Sequence, residues 1–288
     1  MSRAIRTLYR LFLRQATVME KQGISIDVQM PMDKMAWLQN GGGHGWATPA
    51  PAYMKESLVG LLPWLSSSTY TGTFNAEQLR QTIRAEFRHP SNTDSSTNAR
   101  STPTPTPTAL DLLDRAFTSL RILEEQLHMA RCSSTATTKS VRVDVCSAFV
   151  GTQAELDPTY DPDDEAVPPK MYYTYRVRVS NTGNQTVQLK SRHWIIKNAA
   201  GQIMAEVARG ARGVVGCTPI LKPATCFQYF SGTDSDPSGG TTMQGSFEMA
   251  VLNSKTGLTE KTFDAEIAPF TFLPPRGFGT GDGGDQNE

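Results

Sequence analysis

The chain has 288 residues, enough for two ordinary domains that each bury a core, and 38% of them are apolar. With 28 basic and 28 acidic residues the formal net charge is zero, which excludes a strongly basic nucleic-acid binder. The charge is unevenly spread: residues 1–131 hold 14 Lys or Arg against 11 Asp or Glu, which leaves room for a basic patch near the N-terminus.

The first predicted element is a helix. Ile5, Leu8, Tyr9, Phe12, Ala16 and Met19 recur at three- and four-residue steps, and Arg3, Arg6, Arg10 and Arg14 repeat on a different face, with no acid before Glu20. After Gly23 the pattern breaks into a Met-, Gly- and Pro-rich stretch that includes "NGGGHGWATPAP" and reads as an irregular insert. A second helix is predicted over "FNAEQLRQTIRAEFRH", with Asn75 and Gln78 spaced as a capping box and Leu79, Ile83 and Phe87 as its apolar stripe. Residues 91–108 are low-complexity and hold no large apolar side chain, so a flexible loop is expected there. The third helix is predicted from a Thr108 cap to about Arg131, burying Leu110, Leu113, Phe117, Leu120, Leu123 and Leu127. Three amphipathic helices interrupted by inserts at 22–73 and 91–108 would pack as a small bundle.

From Lys139 the period changes from 3.6 to 2. Val141, Val143 and Val145 alternate with polar residues, and so do Tyr173, Tyr175, Val177 and Val179 around Thr174, Arg176 and Arg178, giving two half-buried strands. An acidic loop, "DPTYDPDDEAVPP", lies between them. Further strands are signalled at "TVQLKS", "HWIIKN" before the turn "AAGQ", "TCFQYFS", "GSFEMAVLN" and "KTFDAEI", so the second half reads as an antiparallel sandwich or barrel. Residues 276–288 read as a polar, disordered tail.

The cysteines, Cys132, Cys146, Cys217 and Cys226, show neither zinc-ligand spacing nor the density of a disulfide framework, so they are expected to be reduced, mostly buried thiols in a reducing compartment. No run of eighteen apolar residues exists, so no transmembrane segment is expected. Asp161, Asp163, Asp164 and Glu165 form a solvated acidic run. A nucleophile with its base, a paired-carboxylate pocket, a Walker motif and metal-ligand spacing are all missing, so a non-enzymatic protein is expected.

Residues 139–275 resemble the ApaG domain family through "YTYRVRVSNTGNQTVQLKSRHWIIKNAAGQI", "ARGVVGCTPILKPATCFQYFSG" and "GGTTMQGSFEMAV". The resemblance implies a fibronectin type III-like antiparallel β-sandwich. It also draws attention to the family's G-x-G-x-x-G stretch, which falls on Ala211, Arg212, Gly213, Val214, Val215 and Gly216. A nucleotide- or dinucleoside-polyphosphate-binding role for Gly213 and Gly216 is one alternative. Against it, the first glycine is replaced by Ala211, and "VVGCTPILKP" runs on without the helix whose N-terminal amides would face a phosphate, so turn or bulge glycines are expected. Of the family's "RHW", Trp194 is expected to fill the core, His193 to point the other way as a structural hydrogen-bonder, and Arg192 to cap the core's rim.

Residues 1–131 resemble the LYR family of small mitochondrial three-helix proteins: Leu8, Tyr9 and Arg10 spell the tripeptide, "RLFLRQA" follows, and "IRAEFR" and "LLDRAFTSLRILEEQL" come in the family's order. The resemblance implies binding to mitochondrial acyl carrier protein. Arg10 would contact carboxylates of its surface or the phosphate of its acyl-4′-phosphopantetheine, Arg6 and Arg14 would extend the basic strip, and Tyr9 would flank the entrance; Leu8 belongs to the tripeptide, and Phe87 matches the downstream phenylalanine that commonly accompanies it. The chain would have no cofactor of its own. An Arg-rich, acid-poor N-terminus also looks like a mitochondrial targeting sequence. Cleavage would remove the bundle's first helix, so an uncleaved helix serving both import and binding is expected. By family analogy the chain is then a matrix adaptor or structural protein of the mitochondrial ribosome, with a peripheral contact to ribosomal RNA left open. A respiratory-complex assembly role is the alternative.

Overall fold

The computed structural model describes residues 3–27, 44–46, 73–88, 108–161, 169–236 and 239–275. The tail over 276–288 and nearly all of the loop expected at 91–108 lie outside the described residues. The first half contains α1 (Arg3–Gln22), β1 (Ile26–Asp27), β2 (His44–Trp46), β3 (Thr73–Phe74), α2 (Ala76–Arg88) and α3 (Ala109–Arg131). The second contains β4 (Ser133–Thr138), β5 (Val141–Thr152), the single turn α4 (Gln153–Leu156), β6 (Met171–Asn181), β7 (Val187–Lys197), β8 (Ile203–Arg212), β9 (Ile220–Leu221), β10 (Cys226–Ser235), β11 (Thr241–Leu252) and β12 (Thr259–Phe272). The chain divides into two compact units, one of residues 1–31 and 49–131, the other of residues 32–48 and 132–288.

In the first unit, Leu8, Phe12, Ala16 and Met19 fall on one stripe of α1 and are at most 6% exposed. Each of the large ones contributes about 1.5–3 kcal/mol by leaving water. The helix stops at Gly23, whose φ of +61° suits only glycine well: its N–H bonds the Glu20 carbonyl at 3.2 Å, and the Ile24 N–H bonds the Met19 carbonyl at 3.0 Å, a Schellman ending. At the start of α2, the Asn75 and Gln78 side chains each accept from the other's backbone N–H at 2.9 Å, the capping box the sequence predicts. Thr108 caps α3 in the same manner with Asp111, at 2.8 and 3.2 Å. Phe12, Ala16 and Met19 of α1 share one buried cluster with Leu79 and Ile83 of α2 and Leu123 and Leu127 of α3. The stripe expected on α3 needs correction in its first half: Leu110 is 76% and Phe117 58% exposed, while Ala116 and Leu120 pack on the cluster. At 3.6 residues per turn Leu110 and Phe117 drift off the face that Leu123 and Leu127 define.

The second unit is a sandwich of two antiparallel sheets. One runs β2-β10-β6-β5-β4; the other runs β12-β11-β7-β8, with β9 paired to β7. Its core is aromatic: Trp194 sits 6.2 Å from Tyr175, 5.9 Å from Phe247 and 6.2 Å from Phe270, and Phe149, Tyr173 and Phe272 continue the stack. Burial pushes the Tyr173 hydroxyl up to about 12. Along one side the sheets are stitched by side chains: Ser134 Oγ donates to the Ala268 carbonyl and Ser147 Oγ to the Thr271 carbonyl, both at 2.7 Å.

Several strands differ from expectation. The segments "TVQLKS" and "HWIIKN" form one continuous strand, β7; the main run of sandwich strands begins at Ser133 rather than Lys139, and β2, from the stretch read as an irregular insert, joins it. Strand β8 carries no hydrophobic alternation because it is exposed on both faces, so periodicity does not find it. In β6 the outward residues Thr174 and Arg176 are also buried, at 0% and 6%, because the strand lies between β10 and β5 in the sheet interior. Pro269 falls in β12 where the register skips between Ile267 and Phe270, so its missing N–H breaks no regular pair. All four cysteines are free thiols.

Gly245 faces Trp194 across the β11–β7 ladder, and a Cβ there would lie 1.9 Å from the His193 carbonyl oxygen. Gly245→Ala should therefore lower the sandwich's melting temperature by roughly 6–12 °C, corresponding to about 3 kcal/mol in a unit of this size. Thr262→Ala, at an exposed position of β12, should stay within about 0.5 kcal/mol in the same calorimetric scan.

Candidate functional site

Two places bring chemistry-bearing residues together, one in each unit. On α1 the four-residue spacing puts Arg6, Arg10 and Arg14 on one face, and all three are exposed. Beside that strip, Tyr9 meets Phe87 of α2 edge-on at 5.2 Å, and Phe12 meets the same ring at 6.1 Å. Tyr9 and Phe87 are half-buried; Leu8 is 3% exposed and so serves packing. At the opposite end of the helix pair, Glu20 of α1 is ion-paired with Arg80 of α2. Contact at both ends makes the two helices antiparallel. Helix α1 holds five basic residues and one acid, and the guanidinium of Arg80 engages that acid, holding the Glu20 carboxyl below its ordinary range. The arginine strip therefore keeps its positive field, with exposed Arg84 and Arg88 following on α2.

In the sandwich, β8 leads into the glycine stretch. Gly213 has φ +61°, and its N–H is given to the Lys190 carbonyl at 2.9 Å. Val214 and Cys217 exchange both backbone hydrogen bonds at 2.8 Å around Val215 (φ +43°) and Gly216 (φ +79°), the pattern of a two-residue hairpin turn with both central residues left-handed. The amides of Val214 and Cys217 are thus spent inside the loop and that of Gly213 on β7, and the chain continues into β9 rather than a helix. Arg192 clamps the loop from β7: its Nη1 donates to the Gly213 carbonyl at 2.6 Å and the Arg212 carbonyl at 3.0 Å.

Outside the same sheet lies an open cleft of about 470 Å³, lined by Ser191, His193, Arg209, Ser246, Glu248 and Asp264 among others. Arg209 of β8 is ion-paired with Asp264 of β12, although β7 and β11 lie between those strands, so the pair passes over the cleft floor. On that floor Ser191 Oγ donates to Glu248 Oε2 at 2.7 Å. His193 Nε2 lies 2.8 Å from Glu206 Oε1. His193 therefore faces away from the core that holds Trp194, as alternation requires. Its acidic partner, thirteen residues on, escapes sequence reading because β8 escapes it; with β8 in place, the hairpin around 198–202 sets Trp194 opposite Val207 and Ile195 opposite Glu206. Ser191 and His193 bond different carboxylates, so they do not form a nucleophile–base chain. Among the described residues, no group of three or more His, Cys, Asp or Glu is placed to hold a metal ion. No described helix is long and apolar enough to cross a membrane.

The glycine loop yields a graded prediction. A Cβ on Gly213 would lie 2.2 Å from the Cys217 carbonyl oxygen, whereas Gly216 has open space and only its positive φ to lose. In urea unfolding, Gly216→Ala should cost about 1 kcal/mol and Gly213→Ala at least about 3 kcal/mol. Val215→Gly should be neutral or stabilising, because a β-branched residue is strained at φ +43°.

The ApaG domain family model matches residues 163–251. Protein ApaG of Methylobacillus flagellatus is 39% identical over 123 residues, covering 42% of this chain and 89% of the relative. Protein ApaG of Aromatoleum aromaticum is 35% identical over 136 residues, covering 47% and 91%. A crystal structure of an ApaA protein from Bordetella pertussis is 31% identical and covers 49% of this chain and 98% of its own, with a TM-score of 0.37. These relatives are matched over most of their length by less than half of this chain. Through its β-sandwich, the chain belongs to the ApaG domain family.

Proposed function

We propose that the chain is a non-enzymatic adaptor whose helical unit docks an acyl carrier protein, while the ApaG sandwich serves as a second contact module. The observation that carries this reading is the exposed strip of Arg6, Arg10 and Arg14 running beside the Tyr9–Phe87–Phe12 ring cluster. Carrier proteins present acidic surface and a phosphate-linked acyl chain. Guanidinium groups make charge-assisted, bidentate contacts with carboxylates and phosphates, and an adjacent aromatic lip suits an apolar chain. Acyl-4′-phosphopantetheine arrives with the partner, and each methylene it buries contributes about 0.8 kcal/mol.

The LYR-like tripeptide Leu8–Tyr9–Arg10 extends the proposal to the mitochondrial acyl carrier protein, the matrix, and the mitochondrial ribosome as the larger assembly. That extension rests on family analogy. Fractionation of tagged protein tests it directly: recovery outside the matrix fraction removes the mitochondrial part and leaves the carrier-docking part standing.

The docking itself is tested by calorimetric titration of the full chain with medium-chain acylated acyl carrier protein. Arg10→Glu should weaken binding at least about tenfold, equivalent to about 1.4 kcal/mol, and raising the salt concentration should weaken the unaltered protein in the same direction. Phe87→Leu should weaken the acylated carrier more than the unacylated one. Equal affinity of Arg10→Glu and the unaltered chain would remove the proposal.

A further inference from the structure

On the side of the sandwich away from the β4–β12 stitches, one sheet ends at β8 and the other at β10 with the three-residue β2 on part of it, and the two are protected differently. Strand β8 is guarded in ways that discourage pairing: its register is broken between Arg192 and Trp194, Gly210 has φ +88°, and Glu206, Arg209 and Arg212 project charge along it. Strand β10 is less guarded: its one charged residue is Asp234, ion-paired with Lys170 at 2.9 Å. It pairs with β6 without a break from Cys226↔Ser180 to Ser235↔Met171, and its sequence CFQYFSGTDS contains no proline, lysine or arginine. A regular edge of this kind leaves a row of backbone N–H and C=O groups ready to accept another strand.

A strand is there, and it comes from far away in sequence. β2, His44–Trp46, lies between α1 and α2 in the chain and pairs antiparallel with β10, with Trp46 opposite Phe227, Gly45 opposite Gln228 and His44 opposite Tyr229. Its three residues cover only part of a ten-residue strand; from Phe230 to Ser235 the outer edge of β10 has no strand partner among the described residues. The segment is preceded by three glycines and followed within five residues by two prolines, Pro49 and Pro51, so neither flank favours a longer strand.

We propose that the outer edge of β10 is a strand-addition site for an extended peptide segment of a partner protein, and that His44–Trp46 is its occupant in cis. The occupant defines the register: ring-bearing residues opposite Phe227 and Tyr229, both core-facing at 4% and 3% exposure, and a small residue opposite half-buried Gln228. A partner segment able to pair along Phe227–Ser235 makes more main-chain hydrogen bonds than the three-residue occupant and displaces it. The inference is independent of carrier docking, which involves the other unit.

The test uses the full chain, isotope-labelled for amide NMR, and a synthetic peptide of residues 40–50, NGGGHGWATPA. Two variants free the edge: deletion of 44–46, and Gly45→Pro as the milder change should the deletion fail to fold. In either one the peptide should shift β10 amides saturably, with Phe227–Tyr229 moving most. The intact chain should need at least about tenfold more peptide, because a tethered segment competes at an effective concentration in the millimolar range. A peptide with Gly replacing His44 and Trp46 should bind neither variant. Absence of β10 shifts in a folded variant, or equal affinity for the intact chain and the variants, would overturn the proposal.

Discussion

Trp194 is the residue on which the sandwich depends. It stands in a central strand of one sheet, and its ring reaches Tyr175 of the opposite sheet as well as Phe247 and Phe270 of its own. Edge-to-face contacts at about 6 Å add modestly to what the buried area already contributes, and they also fix the stagger of the sheets. The register then follows for the rest of β7. His193 must face outward, where it meets Glu206, and β11 must approach closely enough at Gly245 that no side chain fits there. Aromatic packing on the inner face and polar cleft on the outer face are two consequences of one alternation.

The same strand governs the glycine loop. Arg192 spends its guanidinium on two backbone carbonyls, and the loop spends two of its amides internally and a third, that of Gly213, on the Lys190 carbonyl of β7. The amides of Gly213, Val214 and Cys217 are taken up within the protein, as in a structural turn. Glycine is required at Gly213 by the nearness of the Cys217 carbonyl and at Gly216 by its φ, two different reasons within one short motif. The helical unit shows the opposite disposition. Its single α1 carboxylate is matched by Arg80, and its arginine strip is left facing water. Exposed guanidinium groups beside half-buried rings are the feature on which the proposed carrier docking rests.

Much of this architecture was legible in the residues. The α1 stripe, the Asn75–Gln78 box, the Thr108 cap and the alternation of Val141, Val143 and Val145 are local patterns, and the structure contains each of them. What escaped was what local pattern does not encode. Strand β8 is exposed on both faces and therefore lacks a period; Leu110 and Phe117 read as core because a heptad-like spacing looks continuous until the helix's rotation is followed to its far end. The Glu206 partner of His193 and the Asp264 partner of Arg209 depend on strand neighbours that only folding brings together.

The sequence by itself determined the helix boundaries, the inward placement of Trp194 and the turn character of Gly213 and Gly216, because each follows from spacing, capping or backbone sterics within a few residues. The tertiary structure decided the order of strands in each sheet, the cleft roofed by Arg209 and Asp264, the clamp of Arg192 on the loop and the seating of His44–Trp46 against Phe227–Tyr229. Those contacts join residues up to 185 positions apart, as between His44 and Tyr229. Their closure entropy has to be offset by burial of the core they help to enclose.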